Sequence, residues 1–96
     1  MSDFHFELPN NFDQYEWEVA VKGCFSAARI RGADISYTLS FYDPARLAQE
    51  MEDELQRGHL FFEVNLIVIR SVKRSTMKQA AELLIRSGRI NLLRPD

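Results

Sequence analysis

The chain has 96 residues, 46% hydrophobic and 27% charged, with a formal net charge of −2. That length and composition describe one domain, residues 1–96, with one modest core; they exclude a disordered segment, and the single Cys24 excludes a disulfide-stapled scaffold. No run approaches the roughly 20 apolar residues of a membrane-spanning helix, and residues 1–7 lack the basic start and unbroken apolar stretch of a secretory signal, so the expectation is a soluble, cytoplasmic protein.

Residues 1–14 read as a loop, or, through the alternation of Phe4, Phe6 and Leu8, as a short edge strand that Pro9 ends. Tyr15, Trp17, Val19 and Val21 alternate with Glu16, Glu18, Ala20 and Lys22, the period of a half-buried strand, which places Trp17 in the core. Gly23 allows a bend, residues 25–30 read as a second strand, and Arg31-Gly32-Ala33-Asp34 reads as a turn in which Gly32 supplies positive φ. Ile35, Tyr37, Leu39 and Phe41 alternate with Ser36, Thr38, Ser40 and Tyr42 in a third strand, completing an antiparallel meander.

Asp43-Pro44 starts a helix over residues 44–57: the carboxylate caps free N–H groups, and proline at the first helical position loses no needed donor. Leu47, Ala48, Met51 and Leu55 form its apolar stripe, and Gly58 stops it. Residues 59–69 are the most apolar stretch, with Val64, Leu66 and Val68 on one side and Ile67 and Ile69 on the other, which predicts a central strand. Ser75 is the expected cap of a second helix over residues 76–87, with Met77, Ala80, Ala81, Leu84 and Ile85 on its apolar face and Gly88 as its stop. Residues 89–96 form a short strand or a packed tail. The order β-β-β-α-β-α predicts an α+β fold, a two-layer sandwich whose mainly antiparallel sheet carries two helices on one face.

Candidate chemistry is sparse. Asp3, His5 and Glu7 alternate on one strand face but lack the second histidine or cysteine of a zinc site. Cys24 has no histidine near it in sequence and reads as a small buried hydrophobe, while His59 reads as structural at a helix end. The four glycines are scattered and build no phosphate loop. No catalytic residue, metal site or cofactor is therefore expected, and the chain reads as a non-enzyme.

Two charged clusters remain. Residues 1–58 carry eleven acidic and five basic side chains, and residues 59–96 carry three and seven. In the acidic half, Glu50, Glu52, Asp53 and Glu54 are candidate partner-binding residues that would steer a basic protein. In the basic half, Lys73, Arg74 and Lys78 oppose the dipole at the start of the second helix and form the anion-binding alternative. The acidic balance and the lack of basic residues interleaved with aromatic ones argue against nucleic acid.

Trp17-Glu18-Val19, Gly32-Ala33-Asp34-Ile35-Ser36-Tyr37-Thr38-Leu39, Tyr42-Asp43-Pro44-Ala45-Arg46-Leu47 and Leu66-Ile67-Val68 follow one another across residues 15–87. This succession resembles the type-8 immunity proteins of bacterial polymorphic toxin systems: an aromatic-apolar strand, a Gly-acid turn into an alternating strand, a Pro-x-x-Leu helix start and a Leu-Ile-Val strand before a last helix. The resemblance implies a stoichiometric inhibitor that occludes a cognate toxin, and it transfers no defined binding residues. From the residues, the chain reads as a non-catalytic protein-binding module, with a small ligand-binding or enzymatic domain as the alternative. An unpaired sheet edge would also permit a homodimer.

Overall fold

The computed structural model describes residues 3–96; Met1 and Ser2, the start of the expected loop and of the segment read for a signal, lie outside it. It is an α+β fold. Strand β1 (His5–Glu7) is followed by helix α1 (Glu16–Lys22), strands β2 (Cys24–Arg31) and β3 (Ser36–Tyr42), helix α2 (Pro44–Gln56), strand β4 (Leu66–Val68) and helix α3 (Arg74–Arg86). Short 3-10 turns span Phe12–Gln14 and Arg89–Leu92. The four strands lie in the order β1-β2-β3-β4; the first two pairings are antiparallel and β3–β4 is parallel.

Alternation decides which side of the sheet is dry. Ala28, Ile30, Leu39 and Phe41 are fully buried on one face, against Met77 and Ala81 of α3. Burying each large apolar side chain contributes about 1.5–3 kcal/mol. Phe12, from the first 3-10 turn, closes one end of this core and meets the rings of Tyr15 and Phe25 edge-on at 5.4 and 5.1 Å. A bulge in β2 sets Ser26 and Ala27 opposite Ser40 alone. It returns Ala28 to the core face after Phe25, which is why β2 shows no clean alternation.

Three expectations give way. Residues 15–22 are not a strand: α1 occupies Glu16–Lys22, so the order begins β-α-β-β. Tyr15 and Val19, four residues apart, face inward, while Trp17 and Val21 are 68% and 79% exposed, so Trp17 is outside the core. The helical reading was available in Glu16 and Glu18 in the first turn, Lys22 in the last, and Gly23 ending the helix at φ 77°. The expected central strand over residues 59–69 shrinks to Leu66–Val68 at the sheet edge. Asn65, at φ 54°, turns the chain just before it, and Leu60, Phe62, Val64, Leu66 and Val68 are left exposed, while Ile67 and Ile69 pack against the core. Of the two helices expected on one face, α3 alone covers the core; no residue of α2 is buried.

Smaller differences are local. Helix α3 starts at Arg74, two residues earlier than a Ser75 cap would set it, with the Lys73 N–H donating to Thr76 Oγ1 at 3.0 Å. Gly32 is absent from the positive-φ residues; a side chain there would come within 2.8 Å of the Phe4 ring, so close approach, not handedness, requires glycine.

Gly23 joins α1 to α2. Its carbonyl accepts from the Asp43 N–H at 2.8 Å, and a Cβ on it would lie 2.4 Å from Asp43 Oδ2. Asp43 in turn caps α2, accepting from the Arg46 N–H at 2.7 Å. Gly23→Ala therefore combines left-handed strain with a disturbed cap and is expected to lower the unfolding free energy by about 2–3 kcal/mol. Gly88→Ala, where φ is also 77° but nothing lies within 4 Å, should cost about 1 kcal/mol. Urea denaturation of the two variants checks the difference.

Candidate functional site

Helix α2 begins where the sequence places it, with Asp43 as cap, Pro44 in the first turn and Gly58 at φ 80° beyond its end. Its stripe is covered only at one end: Leu47 is half-buried, Met51 is 37% exposed and Leu55 is 59% exposed. The chain then turns, and Leu60 and Phe62 follow, each 75% exposed. Leu55, Leu60 and Phe62 are thus the most exposed large apolar side chains of this segment.

The four acids on this helix separate into two pairs. Glu50 is held by Arg46, four residues before it, and Glu54 lies 3.1 Å from His59 Nδ1. His59 therefore serves the helix end through a side-chain carboxylate. Glu52 and Asp53 are exposed, Glu52 accepting only from Gln56 Nε2 at 3.0 Å. Arg46 is the one base within α2, so Pro44–Gln56 carries a net charge of −3.

The basic cluster is already engaged by the chain itself. The Arg74 N–H, at the start of α3, donates to Glu16 Oε2 at 2.8 Å. Its guanidinium donates to Asp13 Oδ1 at 2.6 Å and lies 5.4 Å from the centre of the Phe12 ring. The helix start that would receive an anion thus holds a carboxylate from α1, while Lys73 and Lys78 remain exposed. At the opposite sheet edge Glu7 accepts from Arg31 Nε at 2.8 Å and sits 3.1 Å from His5 Nε2. The Arg31 hydrogen bond holds the Glu7 carboxyl below its usual range. Among the described residues no group of three or more His, Cys, Asp or Glu side chains is placed to hold a metal ion. No helix there is long and apolar enough to cross a membrane.

A second feature combines residues that the sequence keeps apart. Tyr42 of β3 pairs across the strands with Cys24 of β2, so both leave the sheet on the side away from Phe41. The Tyr42 hydroxyl donates to Glu63 Oε1 at 2.8 Å, Ser40 Oγ donates to Glu63 Oε2 at 3.3 Å, and the Phe61 ring meets Tyr42 edge-on at 6.2 Å. Burial, reinforced by the Glu63 carboxylate, pushes the Tyr42 phenol well above its ordinary range, so it remains a donor. Burial disfavours the Arg46 cation, but Cys24 and Glu50 nearby more than offset this and hold it charged. A cavity of about 350 Å³ opens here between α1 and the β2–β3 pair.

The tail closes the other end of the same face. Asp96 accepts from Ser36 Oγ at 2.8 Å and from the Thr38 N–H and Oγ1 at 3.0 and 2.9 Å. These hydrogen bonds, Ser36 first, hold its carboxyl below the ordinary range. A group with a lowered folded pKa adds stability that is complete above its unfolded value and lost as pH falls through the folded one. The stability gap between the native chain and Asp96→Asn should therefore be constant above about pH 5 and close progressively toward about pH 2, as read from urea midpoints across pH.

Family models, characterised proteins and solved structures were all compared with this chain, and nothing matches it.

Proposed function

We propose that the chain is a non-catalytic protein-binding module that docks a basic protein on the exposed face of α2. The observation that carries this reading is the part-exposed stripe of Met51 and Leu55 on a helix of net charge −3, with the exposed carboxylate of Glu52 beside it and that of Asp53 on the far side of the helix. The apolar stripe supplies area to bury, and the acids supply long-range attraction that raises the association rate. A second copy is the poorer occupant for this face, since two α2 helices laid together would set a charge of −3 against −3.

A narrower form of the proposal makes the partner a toxin whose working surface the chain occludes. Its support is the resemblance of residues 15–87 to the type-8 immunity proteins. The Asp43-Pro44 helix start, the hairpin around Gly32 and the Leu66-Ile67-Val68 strand have the expected form. Trp17-Glu18-Val19 departs from the pattern, being helical where that resemblance implies a strand.

The test uses a basic protein captured with the full chain from the source cells. Glu52 and Asp53 are exposed, so Glu52→Lys with Asp53→Lys should leave the thermal midpoint nearly unchanged. Association should slow by roughly tenfold or more at low salt, and its salt dependence should flatten. Leu55→Ser should chiefly speed dissociation. Unchanged kinetics in both variants would remove α2 as the docking face.

A further inference from the structure

We infer that the cavity beside Glu63 receives the cationic head of a lysine or arginine side chain presented by the protein partner, an anchor pocket that rests on the basic-partner reading above. Glu63 is half-buried and accepts only neutral hydroxyl donors, Tyr42 at 2.8 Å and Ser40 at 3.3 Å. No cation among the described residues lies within salt-bridge distance of it. Two donors do not exhaust a carboxylate, which offers about four lone-pair sites. Arg46, the cation set beside Tyr42, is turned to Glu50 instead. Glu63 is therefore oriented by two hydroxyls, with its strongest class of partner missing among the described residues.

Cys24 and Tyr42, on the same side of the sheet as Glu63, line the approach to it, and Tyr15 and Phe25, with ring centres 6.4 Å apart, supply apolar surface on the core-side wall of the cavity against which a lysine or arginine stem can pack. The bulge at Ser26 and Ala27 puts two small residues on the lining where a regular strand would have one. Glu18 adds a second carboxylate at the mouth and Lys22 a single opposing charge, so the lining remains net negative. A volume of about 350 Å³ holds one such side chain; it lies at the small end of the roughly 300–1,000 Å³ typical of ligand cavities.

The full chain, labelled with nitrogen-15, is titrated with N-acetylargininamide and N-acetyllysinamide, which carry one positive charge, and with neutral N-acetylglutaminamide. The expected result is saturable shifts of the Cys24, Ser26 and Ala27 amides with the two cations and none with the neutral compound. Affinity should fall roughly tenfold in Glu63→Gln, the loss of one charge-assisted contact, and by less in Glu18→Gln. Glu18 is exposed, so its variant keeps the test open if Glu63→Gln fails to fold. Absence of saturable shifts in the native chain, or affinities unchanged in the variants that fold, would overturn the pocket. If the pocket falls while Glu52→Lys with Asp53→Lys still slows the partner, docking on α2 stands without it. If the pocket holds while those variants do nothing, the fault lies in the docking face.

Discussion

The backbone of β3 has to be satisfied along both of its edges, and the way its second edge is completed arranges the rest of the molecule. On one side β2 pairs with it along most of its length. On the other side β4 is only three residues long and reaches only Ser40, Phe41 and Tyr42. The remainder is filled piecewise. The Ser40 N–H donates to the Asn65 carbonyl, the Thr38 carbonyl accepts from Asn65 Nδ2, the Thr38 N–H donates to Asp96, and the Ser36 carbonyl accepts from the Asp96 N–H. Asn65 reaches both ways, since its amide also exchanges hydrogen bonds with the backbone of Arg94 at 2.8 and 2.9 Å. One left-handed asparagine thereby ends the run of residues 59–64, starts β4 and pins the tail.

That arrangement explains why so much apolar surface stays outside. With the β3 edge completed by a short strand, a side chain and a tail, residues 59–64 are not drawn into the sheet, and Leu60 and Phe62 have no layer above them. Helix α2 leaves β3 through the Asp43 cap and shares no core position with α3. Its stability comes from local terms, namely the cap, the proline start and the Arg46–Glu50 pair one turn apart, with tertiary burial contributing little. A helix held this way presents a face not committed to the core.

What could be read from the sequence was whatever depends on neighbours in the chain. The Asp43-Pro44 start and Gly58 stop of α2, the hairpin between β2 and β3, and the apolar face and Gly88 end of α3 are all short-range signals, and each stands. Residues 15–22 failed because over seven residues a period of two and a helical period pick overlapping apolar sets; the deciding contact, Glu16 with the start of α3, spans 58 positions. Residues 59–69 failed because apolar side chains on both faces look alike whether both faces are buried or, as here, only Ile67 and Ile69 meet the core. Glu50, Glu52, Asp53 and Glu54 were legible as a cluster, but not their division into paired and free carboxylates. The cavity was illegible throughout: Glu18, Cys24, Tyr42 and Glu63 come from four elements or loops, and only the folded sheet brings them together.

The detachment of α2 from the core has a bearing on how such a chain changes over time. Substitutions at exposed positions usually alter stability by no more than about 0.5 kcal/mol, so Glu52, Asp53 and the exposed end of the helix around Leu55 are largely released from the duty of holding the protein together. Drift or selection can rewrite that helix one residue at a time while the β3 scaffold stays put. The face proposed for recognition and the scaffold that folds thus lie on separate parts of the same chain.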